Sequence, residues 1–488
     1  MSDKIRQLAP KELWNHFADL NAVPRPSKKE QKVIQFMKSF GEGLGLKTFV
    51  DEVGNVIIKK PATKGLEHKE TIVLQSHLDM VHQKNSDTQF DFETQGIEMF
   101  VDGDWVKARG TTLGADNGIG VAAIMSLLAS SDIPHPPFEA LFTIDEETGM
   151  TGALALKGGL LDGKILLNLD TEEDNELTIG CAGGVDVTAS GTYNQETPEH
   201  KTALRISVKG LTGGHSGVDI HKGRGNANKI LNRLLTGLTN SFKISIAAID
   251  GGSLRNAIPR EAVADVVVAE NVASELQKAV SNYNSIVQKE NTFTDPNLNI
   301  SCESIPAPSK VLNSAFQSAL LRSIYACPNG IYRMTPSILG LVQTSNNVAR
   351  VLVKDGKYSI QCLTRSSVNS EKADLAQAIS SAFELSGATV SLGGSYPGWE
   401  PKPDAPIVKL MSELYQERYN EQPNVDAIHA GLECGILGTN YPDMQMISFG
   451  PNIYGAHSPD EKVQISSVQK FWGYLLEVLK RIPSKANN

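Results

Sequence analysis

Short, nearly unbroken apolar runs alternate with longer helix-like ones through the first third of the chain. The runs "NVIIKK", "TIVLQSH", "EALFTID" and "KILLNLD" each end in polar or charged residues. Around them lie "PKELWNHFADL", "SKKEQKVIQFMKSFGEGLG" and "NGIGVAAIMSLLAS", whose length and apolar content suit helices. Ser27 is placed to cap the second of these, and its glycines end it. Strands that are apolar on both faces and separated by helices predict an α/β fold: a mixed, largely parallel sheet sandwiched by helices. Ligands of such sheets gather beyond the carboxyl ends of the strands.

Near residue 185 the pattern changes. "VTASGTYNQETPEHKTALRISVKG" alternates apolar and polar positions, as a strand with one wet face does. From there "ALRISVKG", "EAVADVVVAE", "RVLVKDGKYSIQCLT" and "ATVSLGG" read as strands, with helices such as "GNANKILNRLLTGLT" and "SEKADLAQAISSAFELSG" between them. Their order is loosely that of one α+β unit used twice, without a clear repeat in the residues. "GGSYPGWEPKPDAP", rich in Gly and Pro, returns the chain to α/β texture. The expected organisation is one α/β domain over residues 1–185 and 397–488, with an α+β domain inserted over 186–396.

Composition narrows the function. At 488 residues the chain is too long for one core. A net charge of −9 argues against nucleic acid or an anionic membrane as the main partner. Neither a membrane-spanning run nor a signal-peptide core stands out, so the expectation is a cytoplasmic protein. The five cysteines are scattered with no CxxC pair, which suggests neither a disulfide framework nor a thiolate zinc site.

Polar residues at the strand ends carry the candidate chemistry. "LQSHLDM" supplies His77 and Asp79, "TLGADNGIG" Asp116, "IDEET" Glu146 and Glu147, "LLNLD" Asp170, and "FGPNIYGAHSPDE" His457. Taken singly, each has an ordinary reading: a surface pair, a turn, a helix cap or dipole-favoured acids at a helix start. Together they stand where a parallel sheet would bring them to one edge. Two histidines and several carboxylates without thiolates suit Zn²⁺, Mn²⁺ or Co²⁺.

These motifs resemble those of the dinuclear zinc peptidases that include carboxypeptidase G, aminoacylase and the carnosinases. "SHLDMV", "TLGADNGIG", "DEETGMTGA", "LLNLDTEE" and "IHAGLECGIL" are most similar to the dipeptidase branch of that family, along essentially the whole chain. The resemblance implies two divalent cations per chain, Zn²⁺ first, with Asp116 bridging them. His77 and Asp170 would complete one cation, Glu147 and His457 the other. Asp79 would hold the ring of His77, and a cis peptide would follow Asp116. Glu146 would be the general base that takes a proton from the water between the cations, which answers why two adjacent glutamates are needed. Asp145 is left as a solvated or capping acid.

On the inserted domain the resemblance makes His215 a group that reaches the substrate carbonyl, and Asn256 and Arg365 groups that receive the substrate carboxylate. Gly431 would meet substrate through its backbone. His429 either lines the pocket for the second side chain or is a buried structural residue. The implied activity is hydrolysis of dipeptides with a free C-terminus, Xaa-His dipeptides such as β-Ala-His among them, by a protein that assembles as a homodimer. An aminoacylase or a carboxypeptidase on longer peptides could use the same cation site. A non-catalytic binding protein on this scaffold would lack ligands or the base, yet every expected position is filled. The glycines of "GADNGIG" lack the remaining signature of a dinucleotide site.

Overall fold

The computed structural model describes residues 2–485 and divides into two compact units. The first takes the chain up to Gly180, Pro401–Ala427 and the chain from Leu432 onward; the second takes Cys181–Glu400 and Ile428–Gly431.

In the first unit, four parallel strands form the middle of a mixed sheet that has eight strands among the described residues: Phe138–Thr143, Ile72–His77, Ile165–Asn168 and Gln445–Ser448, in that spatial order. Val56–Lys60 and Lys47–Val50 continue one side antiparallel, and Glu176–Cys181 joins the other side antiparallel. Ile72–His77, Phe138–Thr143 and Ile165–Asn168 are buried at every position, as expected of strands covered on both faces. Some of their polar groups pair with one another and with Glu433. Asn168 donates to Gln75 Oε1 at 2.5 Å, while Gln75 Nε2 reaches Glu433 Oε2 at 2.7 Å and Thr143 Oγ1 reaches the same oxygen at 2.6 Å.

The helix Ala115–Ala129 is apolar all round and buried almost throughout, which is why it has no wet face. It packs so closely on the sheet that a Cβ at Gly120 would lie 2.5 Å from Ser76 Oγ. Helix Gln31–Gly43 starts later than the sequence suggests. Ser27 does not cap it; its hydroxyl instead donates to Asp79 Oδ2 at 2.8 Å, because Asp79 is a buried carboxylate that needs a donor.

Among the described residues, the second unit holds a nine-stranded antiparallel sheet. Strand Gly183–Thr192 shows the alternating burial that the sequence pattern predicts. "RVLVKDGKYSIQCLT" is a hairpin rather than one strand: Val342–Lys354 pairs with Lys357–Ser366, and Asp355 and Gly356 turn the chain with positive φ. Helices Ala227–Phe242, Glu270–Glu290, Ser314–Ala326 and Asn369–Glu384 accompany the sheet, and residues from all four join its apolar core.

Candidate metal centre

Parallel pairing aligns the carboxyl ends of the central strands, and the candidate ligands cluster at those ends. His77 closes its strand; Asp79 comes two residues later, Glu146 and Glu147 come after Phe138–Thr143, and Asp170 after Ile165–Asn168. Asp116 enters from the first turn of Ala115–Ala129, after which the Asp116–Asn117 peptide is cis. His457 lies in the loop beyond Gln445–Ser448, on a backbone with φ of 64°.

These seven side chains converge. His77 Nε2 lies 3.1 Å from Asp116 Oδ1 and 3.5 Å from Asp170 Oδ1. On the other side, His457 Nε2 lies 3.2 Å from Asp116 Oδ2 and 3.1 Å from Glu147 Oε2. Asp116 therefore turns one oxygen to each imidazole. His77, Asp116 and Asp170 form one group with ligand atoms within 4.8 Å of one another, Asp116, Glu147 and His457 a second, and His77, Glu146 and Glu147 a third.

Four carboxylates around two imidazoles leave a surplus of negative charge in a buried place. Burial above all, reinforced by Asp116, pushes Glu147 up to about 7, and burial pushes Asp170 up to about 6. Glu146 is raised well above the ordinary carboxylate range, again chiefly by burial, with Asp170 and Glu147 adding to it. Hydrogen bonds to Asp116 and Glu147 lift His457 to about 11. For His77 burial works downward, but Asp170, Asp116 and Asp79 outweigh it and the pKa rises. Glu147 Oε1 and Asp170 Oδ1 are buried without a hydrogen-bond partner. Unsatisfied carboxylate oxygens facing imidazole nitrogens suit a cation, and the all-N/O donor set suits a divalent one.

Asp79, fully buried, organises both sides. Its Oδ1 lies 3.3 Å from His77 Nδ1 and accepts the Glu146 N–H at 3.0 Å; its Oδ2 accepts the Glu147 N–H at 3.2 Å. Asp145 is not solvated: it is 3% exposed and accepts from the Thr148 and Thr151 hydroxyls, so it caps the turn just beyond the two glutamates.

The loop bearing Asp116 is held by residues that sequence reasoning missed. Glu461 accepts the N–H groups of Leu113, Gly114, Ala115 and Asp116 at 2.7, 2.9, 2.7 and 3.2 Å. Asn21 Nδ2 donates to Leu113 O at 3.0 Å, and the Arg25 guanidinium donates to Gly114 O and to the carbonyls of Leu78 and Asp79. Gly114 has φ of 71°, and a Cβ there would lie 2.6 Å from Arg25, so glycine is required. The only sequence signals were an Asn and an Arg four residues apart and one more acid in "HSPDE".

The second unit gathers a different set. His215 sits on Gly214–His215, which pairs with Ala257–Ile258, and Asn256 O accepts the Ser216 N–H at 2.7 Å. The N–H groups of Gly217 and Val218 point at His215 Nδ1, at 3.2 and 3.1 Å. Two donors on Nδ1 favour the ring proton on Nε2, against one longer contact of 3.5 Å from the Arg365 Nη2 donor to that nitrogen. Arg365 is 5% exposed; Nη1 donates to Tyr396 Oη at 2.8 Å, and Nε has no partner. Among the described residues no carboxylate lies at ion-pair distance from Arg365. His429 is buried with Nε2 2.7 Å from Ser345 Oγ, and burial together with Arg365 and His215 holds it neutral, with its pKa lowered to about 3. Gly431 closes the segment Ile428–Gly431 of this unit, where the Ala182 N–H bonds the Ile428 and Ala430 carbonyls.

Residues 73–481 match the model of "Peptidase family M20/M25/M40". The chain is 43% identical over 483 residues to the cytosol non-specific dipeptidase of Escherichia coli (strain K12), covering 99% of this chain and 100% of that protein. It superposes on the crystal structure of aminoacylhistidine dipeptidase from Vibrio alginolyticus with a TM-score of 0.93 and 42% identity, covering all of both chains. The aminopeptidase PepT from Bacillus cereus shares the fold, with a TM-score of 0.57 at 17% identity over 97% of this chain and 99% of that one. The chain belongs to peptidase family M20/M25/M40 and is, with that family, a metal-dependent peptidase.

Proposed function

We propose that this protein hydrolyses dipeptides with a free C-terminus, Xaa-His dipeptides such as β-Ala-His among them, at a site for two divalent cations, Zn²⁺ in the first place. The E. coli and V. alginolyticus relatives, both dipeptidases by name, support the substrate class. One observation carries the two-cation reading: each oxygen of Asp116 faces a different imidazole. His77, Asp116 and Asp170 would hold one cation, and Asp116, Glu147 and His457 the other.

Bound there, the cations supply Lewis-acid chemistry that polarises the scissile carbonyl and makes a water acidic near neutral pH. Glu146 takes the proton of that water on a carboxylate oxygen as it attacks, and returns it to the leaving amine nitrogen. Asp79 keeps the ring of His77 oriented through Nδ1 while fixing the main chain of Glu146 and Glu147. His215, with its proton on Nε2, donates to the carbonyl oxygen as charge develops there. Arg365 and Asn256 receive the carboxylate, and Gly431 meets the substrate through its backbone. His429 stays neutral and supports the pocket through Ser345.

The same reading makes the protein cytoplasmic, and the resemblance of its motifs adds a homodimer. The E. coli relative carries "cytosol" in its name, and among the described residues no helix is long and apolar enough to cross a membrane.

Stripping cations with a chelator should abolish turnover and adding Zn²⁺ should restore it, with about two ions bound per chain. The restored protein should cleave β-Ala-His and Ala-Ala but leave a tripeptide and an N-acetyl amino acid intact. Turnover of the N-acetyl compound or the tripeptide in preference to the dipeptides would overturn the substrate class.

A further inference from the structure

Glu461 makes no ion pair among the described residues, yet it is 2% exposed. Its charge is balanced by main chain instead: Oε2 takes the N–H groups of Leu113 and Gly114, and Oε1 those of Ala115 and Asp116. Four N–H donors on two oxygens favour the ionised form and work against burial, which raises this carboxyl above its ordinary range. The four groups belong to the loop that leads into the helix Ala115–Ala129, whose backbone is still non-helical at Asp116 and Asn117, so the carboxylate supplies these N–H groups with acceptors.

The same carboxylate belongs to the segment that carries His457. Between them the chain is a tight turn: Ser458 Oγ donates to Gly455 O at 2.7 Å, the Asp460 N–H to Ser458 Oγ at 3.2 Å, and the Glu461 N–H to Ser458 O at 3.1 Å. One short segment thus touches Asp116 twice, through Glu461 on its N–H and through His457 facing its Oδ2 at 3.2 Å. Sliding this segment against the loop would leave His457 and Asp116 out of register; the four hydrogen bonds oppose that.

We propose that Glu461 is a positioning residue that locks the His457 turn to the Asp116 loop, so that the shared carboxylate and the imidazole beyond it form as one piece. This rests on the two-cation reading of the site. Glu461 touches neither substrate nor cation; it acts through the main chain of Asp116.

The test compares wild-type protein, E461Q and E461D, each stripped of metal and then titrated with Co²⁺ against a chromophoric chelator, with the Co²⁺ absorption spectrum recorded. An amide cannot accept at its NH₂ end, so E461Q should lose about 10- to 100-fold in affinity for at least one cation, the scale of an outer partner of a ligand. Its Co²⁺ spectrum should change while the metal-free protein still melts as one transition. E461D keeps the charge but falls short by one methylene, and should recover part of the affinity. Both variants folding and binding two cations as tightly as wild type would overturn the proposal. So would variants that lose thermal stability at wild-type affinity, or an E461D that fails to fold, because Glu461 would then be a structural residue only. A wild-type protein that takes up fewer than two cations would instead remove the two-cation reading, with the proposal built on it.

Discussion

In the first unit Asp116, Glu146, Glu147 and Asp170 crowd around two imidazoles, and two of their oxygens have no partner. In the second, a guanidinium that is almost fully buried has a tyrosine hydroxyl and a histidine beside it, and no carboxylate at ion-pair distance among the described residues. One cluster lacks positive charge and the other lacks negative charge. Neither is what a chain selected for stability alone would build, since a buried charge without its counterpart costs several kcal/mol. In the reading proposed above, cations would supply what the acids lack and a substrate's C-terminal carboxylate what Arg365 lacks.

The contrast can be broken at either end. E146Q removes the base but no proposed ligand, and should lower kcat by about 10²- to 10⁴-fold with cation content by elemental analysis unchanged. A loss of metal instead would exchange the roles of Glu146 and Glu147. R365A should act on the other cluster, raising KM by roughly 10- to 100-fold, the scale of a lost charge-assisted hydrogen bond. Steady-state kinetics on a dipeptide and its C-terminal amide should show the variant discriminating between them far less than wild type. If the amide and the acid keep their full ratio in R365A, the guanidinium does not read the carboxylate.

The smallest effect separates the first cluster from its foundation. Burial raises Glu433 to about 8 from its ordinary 4.5, and it sits under the strand ends on Gln75 and Thr143. The folded state therefore binds this proton more tightly than the unfolded one. Its contribution is most favourable below the ordinary value, falls as pH rises toward 8, and levels off above it. E433Q mimics the protonated acid without titrating, so the metal-free variant should lose less thermal stability than wild type between pH 5 and 8. Melting curves at several pH values with parallel slopes for both proteins would rule Glu433 out as a buried neutral acid.

Much of the first unit was legible because its signals are local. Apolar runs such as "TIVLQSH" and "EALFTID" are buried strands, and parallel pairing places the residues just past their ends along one edge, so His77, Glu147 and Asp170 could be found from sequence position. Arg25, Asn21 and Glu461 were not legible, since each acts on main-chain groups far away in the chain and nothing in a local pattern marks a side chain that serves another loop's backbone. Ser27 misled for the same reason: before "KKE" it has the look of a helix cap, whereas its hydroxyl serves Asp79 fifty-two residues on. In the second unit the polarity of "KDGK" inside an apolar run marks the hairpin turn at Asp355 and Gly356, which a continuous strand reading passes over.

Asp79 carries a consequence for redesign. Its two oxygens serve the ring of His77, the backbone of Glu146, the backbone of Glu147 and the hydroxyl of Ser27. Any replacement there disturbs a proposed ligand, the proposed base and the neighbouring loop in a single step, with no partial retreat available. The groups proposed to read the substrate, by contrast, hang on a separate antiparallel sheet and share no hydrogen bond with Asp79. On the proposed reading, retargeting this catalyst to another peptide is therefore a problem of rewriting the second unit while position 79 stays fixed.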